Sequence, residues 1–264
     1  MSALAYTIAG SLAGGALAVV AAAVTLALHA SWITRLVSFA VGALLGAVFL
    51  EILPHALEIG STQRVMGTVL VGLLAFFLLE KLVLWRHSHG HDLHAADTDE
   101  SEHDHALHAP SGHDHGRSGL MILIGTAVHN FCDGIVIAAS FLADTSLGIA
   151  ATLAIVAHAV PQQVGDFAVL LHSGYSRQRA FAYNLSAGAA TLAGALAGHF
   201  ALATMHEALP AVLAIAAASL LYVAVADLIP SLHRRPEPRE TAKQVLLIAL
   251  GIAVIASTHL LLEH

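Results

Sequence analysis

Long apolar stretches alternate with short polar breaks along the whole chain, and one longer hydrophilic stretch follows the third of them. A helix needs about 20 apolar residues to cross the hydrocarbon core of a bilayer. The stretches are too long and too numerous to be core helices of a soluble protein. The pattern predicts eight transmembrane helices, at residues 3–28, 33–57, 65–85, 119–142, 147–171, 180–204, 209–232 and 245–262.

Composition supports an all-α, polytopic membrane protein. Of 264 residues, 57% are hydrophobic and only 11% are charged, whereas soluble domains carry about 25% charged residues. No Lys or Arg precedes Arg35, so the N-terminus lacks the basic region of a secretory signal, and the first apolar run is predicted to be a retained span. Cys132 is the only cysteine, which excludes a disulfide within the chain.

The hydrophilic stretch divides the chain into residues 1–86 with helices one to three, a loop at 87–117, and residues 118–264 with helices four to eight. Histidines alternate with acids in this loop, a composition typical of disordered, metal-binding tracts. It predicts a disordered metal buffer or sensor; the alternative is a solvated linker with incidental histidines. The nine histidines are His87, His89, His91, His94, His103, His105, His108, His113 and His115.

Basic residues predict the topology. Ten of the 11 Lys and Arg residues lie by the odd-numbered loops, and only Arg64 lies by an even-numbered one. The positive-inside rule then places both termini outside and the His-rich loop in the cytoplasm. The high Ala content and short loops favour a bacterial inner membrane.

Spans two and seven share a short pattern that suggests an internal repeat. Glu51 lies three residues before Pro54, and Asp227 lies three residues before Pro230. With two spans between the halves, a 3+2+3 arrangement gives helices 1–3 and 6–8 opposite orientations. That is an inverted repeat of the kind found in transporters.

Four acids lie within the apolar stretches, and no Lys or Arg lies deep in a span to neutralise them. An aspartate at mid-bilayer costs about 2.5–3.5 kcal/mol on insertion scales, so four such acids cost on the order of 10 kcal/mol. Their partner is therefore a proton, water or a bound cation. The four acids are Glu51, Asp133, Asp166 and Asp227. Acids near an interface can instead be simply hydrated, and this alternative applies mainly to Glu51 and Asp227.

Span four contains His129 and Asp133, which are four residues apart and so share one helix face. An imidazole with a carboxylate suits zinc or another divalent transition metal. Asn130 points to an adjacent position, where it can assist a second ion or a water. Gly134 allows a neighbouring helix to approach closely.

Span five contains a second such pair, His158 and Gln162, and Asp166 extends its stripe by one turn. A single polar pair can merely join two helices. Two pairs in adjacent spans, each led by a histidine, favour a shared metal site. His55 lies near Glu51 and is a candidate for gathering metal at the mouth of a path.

These motifs resemble those of the ZIP (Zrt/Irt-like) family of divalent-metal transporters. The most similar branch has H-N-x-x-D-G in span four and H-E-x-P-H/Q-E-x-G-D-F in span five. Here the two stretches read HNFCDG from His129 and HAVPQQVGDF from His158. Residues 53–55, 79–87 and 227–230 also carry similar runs, so the resemblance covers nearly the whole chain.

The resemblance implies metal movement toward the cytosol by alternating access, without ATP hydrolysis, through a site between spans four and five. Carried over, the main site comprises His129, Asp133, His158 and Gln162, and Asn130 belongs to an adjoining second site.

This chain departs from the family pattern at the second site. Ala159 and Gln163 stand where the family has acids, and residues 186–191 lack the carboxylate that some members supply from span six. We therefore expect one metal at the main site, with Asn130 holding at most water or a weakly bound ion. Fewer carboxylates also predict weaker binding and altered selectivity.

Two other classes of function stay open from the residues alone. One is a membrane-embedded zinc hydrolase with Asp166 recruited as base, although no H-E-x-x-H or serine nucleophile motif appears. The other is a metal-sensing receptor that uses the His-rich loop. The cation diffusion facilitators fit less well, since they usually have six spans and paired H-x-x-x-D motifs.

The leading prediction is a transporter without enzymatic activity or a required cofactor. Its predicted cargo is Zn2+, with Cd2+, Fe2+ and Mn2+ as other candidates. Its predicted partners are these ions and the lipid bilayer, with a homodimer as a further candidate and no nucleic acid.

Overall fold

The computed structural model describes residues 2–25, 30–89, 115–233 and 237–262, and these residues form helices and short turns without any strand. Within these described ranges, eight helices are long and apolar enough to cross a membrane, which confirms the predicted all-α, eight-span architecture. The spans are Ala3–Val20, Trp32–Ile59, Thr62–Leu79, Leu123–Ala143, Thr145–Leu171, Arg177–Leu202, His206–Leu232 and Pro238–Thr258.

Five spans each consist mainly of one continuous α-helix, while spans one, two and seven are each interrupted by a π-helical segment. The α-helices are α1 (Ala3–Leu12), α2 (Ala18–Thr25), α3 (Ala30–Gly46), α4 (Leu53–Ile59), α5 (Thr62–His89), α6 (His115–Ala143), α7 (Thr145–His172), α8 (Arg177–Leu202), α9 (Leu209–Tyr222), α10 (Ile229–Leu232) and α11 (Pro238–Leu262). The π segments are Ala13–Leu17, Ala47–Ile52 and Val223–Leu228, and His206–Ala208 is a 3-10 turn.

Proline accounts for the π segments of spans two and seven. Ala47–Ile52 ends two residues before Pro54, and Val223–Leu228 ends two residues before Pro230. Proline has no N–H to donate to the carbonyl four residues earlier, so the α-helical ladder is broken there. A wide π turn re-pairs the neighbouring groups, and such turns often occur at functional sites.

The packing of the spans has the symmetry of an inverted repeat. Span two packs on span eight, and span three packs on span seven; span four packs on span six, and span five packs on span one. An inverted repeat exchanges spans one, two and three with spans six, seven and eight, and span four with span five. This exchange turns the contact of spans two and eight into that of spans seven and three, and the contact of spans four and six into that of spans five and one. The 3+2+3 arrangement predicted from two short motifs is therefore present in the contacts of the described helices.

Spans three and eight lie at the periphery, and spans two and five are the most buried. Exposed leucines on the outer faces, such as Leu70, Leu74 and Leu246, present apolar surface to the surroundings. Small residues predominate in the interior, including Ala40, Ala151 and Ala217. Small side chains let helix backbones approach closely, which is how helices associate in a bilayer.

Helix α5 runs to His89 and α6 begins at His115, so both ends of the predicted loop at 87–117 are helical. The prediction of a disordered, metal-binding tract concerns mainly residues 90–114, which lie outside the described residues.

Candidate metal centre

Spans four and five form a tight antiparallel pair, because Asp144 alone separates α6 from α7. Its carboxylate accepts hydrogen bonds from the backbone N–H groups of Ser146 at 2.7 Å and Leu147 at 3.3 Å, which caps α7. Burial raises the pKa of the Asp144 carboxyl, but these bonds, one from the Ser146 hydroxyl and the charge of His55 together hold it below its usual value. His55 of span two therefore lies close to this junction.

Within this pair, three candidate metal ligands converge on one point. The Nε2 atoms of His129 and His158 are 3.3 Å apart. Asp133 Oδ2 lies 3.4 Å from the His129 nitrogen and 3.5 Å from the His158 nitrogen. The two motifs that the sequence places on separate helices thus meet, and each contributes at least one ligand atom.

The size of this triangle suits a transition-metal ion. Ligand atoms bound tetrahedrally at about 2.0–2.1 Å from zinc are separated by about 3.3–3.4 Å. The three separations of 3.3, 3.4 and 3.5 Å are close to that value. Two imidazole nitrogens and one carboxylate oxygen are also a donor set that zinc prefers.

His158 is held in the form that binds metal. Its Nδ1 lies 3.0 Å from the backbone carbonyl of Ala154. A carbonyl only accepts, so Nδ1 carries a hydrogen, and Nε2 is the ring nitrogen that faces the centre and can offer a lone pair to a metal. An outer hydrogen bond of this kind fixes the tautomer and orientation of metal-binding histidines.

The centre is buried, and its charge is unbalanced. Asp133 and His158 are 2% and 1% exposed, whereas the His129 side chain is 22% exposed. Asp133 Oδ1 has no hydrogen-bond partner, and no Lys or Arg of the described ranges forms an ion pair with this carboxylate. A cation is the partner that such a buried carboxylate lacks.

Span six packs against span four directly beside the candidate ligands. Asn130 donates from Nδ2 to the carbonyl of Ala187 at 3.0 Å, and this bond leaves its amide oxygen available to an ion or a water. Gly134 lies directly against the backbone of Thr191 and Ala195. Spans four and six are therefore in backbone contact immediately beside the ligands.

The position of the predicted second site is buried but neutral. Ala159 is 3% exposed and Gln163 is 1% exposed, and Gln163 Oε1 has no hydrogen-bond partner. On span six, neither side-chain polar atom of the buried Asn184 has a partner. Sequence reasoning treated Gln163 only as a lost acid and missed Asn184, because burial depends on which faces meet span six.

Asp166 of span five is bonded to span four. Thr126 donates to Asp166 Oδ2 at 2.8 Å. Asp166 lies eight residues after His158, about 12 Å along α7, on the side of the odd-numbered loops. Thr126 was missed from the sequence, although it lies three residues before His129 and so shares its helix face.

The remaining predicted residues differ in burial. Gln162 lies one turn after His158 and is half-buried. Glu51 is 6% exposed in the π segment of span two, His55 is half-buried, and Asp227 is exposed in the π segment of span seven. Glu51 is thus not simply hydrated, and neither Glu51 nor Asp227 belongs to the three-ligand cluster.

An eight-span membrane protein with an inverted repeat and histidine and carboxylate groups between its two central helices has the architecture of a metal-ion transporter. The family model for the ZIP zinc transporter matches residues 1–258, and the chain belongs to that family.

Curated relatives agree. The chain is 32% identical to the zinc transporter ZIP13 homolog of Drosophila melanogaster over 87% of this chain and 78% of that protein. It is 32% identical to zinc transporter ZIP13 of Mus musculus over 87% of this chain and 70% of that protein. It is 29% identical to zinc transporter YKE4 of Saccharomyces cerevisiae over 85% of this chain and 70% of that protein.

Proposed function

We propose that this protein carries Zn2+ across the membrane toward the cytosol by alternating access, with His129, Asp133 and His158 as the transport site. The observation that carries the proposal is the buried triangle of ligand atoms, 3.3 to 3.5 Å on a side, in a chain of a zinc transporter family. The step needs no ATP hydrolysis, because an ion gradient suffices to drive a site that opens to one side at a time.

The fourth ligand is Gln162, through its amide oxygen. It follows His158 by one helical turn on the same face of α7, and its side chain is half-buried. Asn130 forms a weaker second site at most, since the uncharged Ala159 and Gln163 stand where the family has acids. One metal ion per chain is therefore expected at the main site.

The path runs from the even-loop side, past the centre, to the odd-loop side. His55 lies near Asp144 at the even-loop end, and the buried Glu51 lies in the next turn of span two. Beyond the centre, Asp166 and then Asp227 are carboxylates that can receive the ion on its way out. Acids on both sides of the site give a cation a continuous favourable field.

The proposed orientation in the membrane rests on the basic residues near the ends of the spans, and the proposed direction, toward the cytosol, is the one that the family resemblance implies. Among the described side chains, Arg35, Lys81, Arg177 and Lys243 lie by odd-numbered loops, and Arg64 lies by an even-numbered one. The positive-inside rule places the odd loops in the cytoplasm and both termini outside. The proposed membrane is a bacterial inner membrane, and the proposed assembly is a homodimer.

We expect no enzymatic activity and no resident cofactor. A hydrolase of this site would need a general base beside a metal-bound water. Asp166 is the candidate base, but it lies about 12 Å along the helix from His158 and is bonded to Thr126.

Metal flux into proteoliposomes tests the proposal. Purified protein is reconstituted, and entry of Zn2+, Cd2+, Fe2+ and Mn2+ is followed with an internal chelating dye, with and without a pH gradient. We expect zinc entry well above that of protein-free liposomes and no requirement for ATP. Absence of flux for all four metals from folded protein would overturn the proposal.

Deleting residues 90–114 separates transport from sensing. The spans and the metal centre lie outside this stretch, so we expect the deleted variant to keep zinc flux within about threefold of the full chain. The measurement is initial flux against external zinc concentration. A receptor that senses metal through the histidines would instead lose its response entirely.

Restoring two acids tests the one-metal assignment. In the double variant Ala159→Glu and Gln163→Glu, two carboxylates are placed on the buried face of α7 that bears these residues. We expect zinc stoichiometry, measured by calorimetry in detergent, to rise from one to two per chain. Ala159→Gln with native Gln163 adds similar volume without charge and should stay at one; a native stoichiometry of two would contradict the assignment.

A further inference from the structure

A cavity of about 940 Å3 lies at the even-loop side, away from the metal centre. It is enclosed by the end of span two, the start of span three, and the turn that enters span seven. None of its lining residues belongs to span four or five, so it is not part of the transport site. Gly60 closes one wall, since a Cβ there would lie 2.8 Å from Pro210 Cβ.

The lining changes from charged to apolar along the helix axis. Arg64 and Glu207 line the cavity near the turns on the even-loop side, and Val71 lies further along α5 toward the middle of span three. Seven residues of α5 separate Arg64 from Val71, which is about 10 Å along the axis. A polar end joined to an apolar end over this distance matches the headgroup and first methylenes of a phospholipid.

The cavity opens sideways toward the bilayer. Val71 lines it and is nevertheless 66% exposed, and its neighbour Leu70 is 60% exposed. Gly67 lies between the polar and apolar parts, and a Cβ added there would meet no atom within 4 Å. Among the described residues, this side of α5 is therefore open at Gly67 and leaves room there for an acyl chain.

Arg64 and Glu207 carry opposite charges and both line the cavity, so together they can bind a zwitterionic headgroup. Arg64 donates from Nε to Ser61 Oγ at 2.9 Å, which orients the guanidinium and leaves its two terminal nitrogens for an anion. Within the described part of the chain, neither Arg64 nor Glu207 forms an ion pair. A guanidinium binds phosphate through paired hydrogen bonds, and a carboxylate binds a primary ammonium group.

We propose that this cavity binds a phospholipid with a primary-amine headgroup, its phosphate on Arg64 and its ammonium on Glu207. An anionic lipid would satisfy Arg64 but meet repulsion from Glu207. A quaternary ammonium headgroup has no N–H to donate to the carboxylate. The chemistry of both charges together therefore selects the ethanolamine class.

Native mass spectrometry of the full chain tests this site. Protein in detergent is offered phospholipids with ethanolamine, glycerol and choline headgroups, with identical acyl chains at equal mole fraction, and the bound copies are counted. We expect the ethanolamine lipid to be retained about tenfold over the other two, as loss of one charged hydrogen bond implies. Equal retention of the three lipids would overturn the proposal.

Substitutions of Arg64 and Glu207 test which charged group of the lipid each side chain binds. Arg64→Gln should lower retention of the ethanolamine lipid about tenfold, and Glu207→Gln should abolish its preference over the glycerol lipid. The control variants are Arg179→Gln, at an exposed residue, and Glu240→Gln, at a half-buried one; both lie by odd-numbered loops and should change neither. An Arg64→Gln variant that behaves like Arg179→Gln would contradict the site.

Gly67→Leu fills the groove and separates a lipid from a second copy of the chain. A lipid site predicts loss of retained lipid with an unchanged oligomeric mass. A change in oligomeric mass with unchanged lipid retention would show that another chain occupies this surface, and would overturn the proposal.

Discussion

Replacing Asp133 with alanine should abolish zinc uptake. Asp133 provides the only carboxylate of the three-ligand cluster, and its Oδ2 lies 3.4 and 3.5 Å from the two imidazole nitrogens. Loss of groups that only support metal ligands costs about 10–100-fold, so loss of the charged ligand itself should exceed about a hundredfold. The measurement is initial zinc flux in proteoliposomes at matched protein density.

Two further variants make this result specific. Asp133→Asn keeps the shape and removes the charge, and it should also fail, because a neutral amide is a poor substitute for an anionic zinc ligand. Glu240→Gln removes a half-buried acid that is paired with Lys243 at 2.6 Å near the start of α11, and it should transport normally. Uptake at the native rate by folded Asp133→Ala would remove the assignment of this centre as the transport site.

Replacing Gly134 with alanine should destabilise the protein strongly. An added Cβ would collide with the carbonyl of Thr191 and the backbone nitrogen of Ala195, neither of which can yield like a side-chain tip. Spans four and six must then separate, which also breaks the 3.0 Å bond from Asn130 to Ala187. We expect a loss of about 3 kcal/mol, the upper part of the range for overpacking.

The same helix provides the control. At Gly125 an added Cβ meets no atom within 4 Å, so Gly125→Ala should leave stability unchanged or slightly raised. Unfolding in mixed micelles, followed by circular dichroism, measures both variants. Equal stability of the two alanine variants would show that spans four and six are not in backbone contact at this position.

Local patterns along the chain were sufficient to predict the spans and the candidate ligands His129, Asp133 and His158. Hydropathy depends only on composition along the chain, and the i, i+4 spacing fixes that His129 and Asp133 share a face. The meeting of this pair with His158 followed from placing two histidine-led pairs in adjacent spans. None of these inferences needed the register between helices.

Features that depend on register were beyond the sequence. The bond from Thr126 to Asp166 joins residues forty positions apart, and it requires knowing how far span five slides along span four. The burial of Gln163 and Asn184 depends on which faces meet span six. The π segments had proline as a visible cause, but the acids before Pro54 and Pro230 predicted a repeat and a cation path rather than a change of helix type.

The inverted repeat, together with the proposed alternating access, predicts a second conformation besides the one observed. Glu51 and Asp227 occupy equivalent places in the two halves, yet Glu51 is 6% exposed and Asp227 is exposed. Under the proposed mechanism, this difference in exposure corresponds to two halves that differ in shape around a common centre. If each half takes the shape of the other, Asp227 becomes sealed and Glu51 becomes reachable from solvent. A cysteine placed at position 51 or 227 would then report, through its rate of alkylation, whether the path is open to the even-loop side or to the odd-loop side.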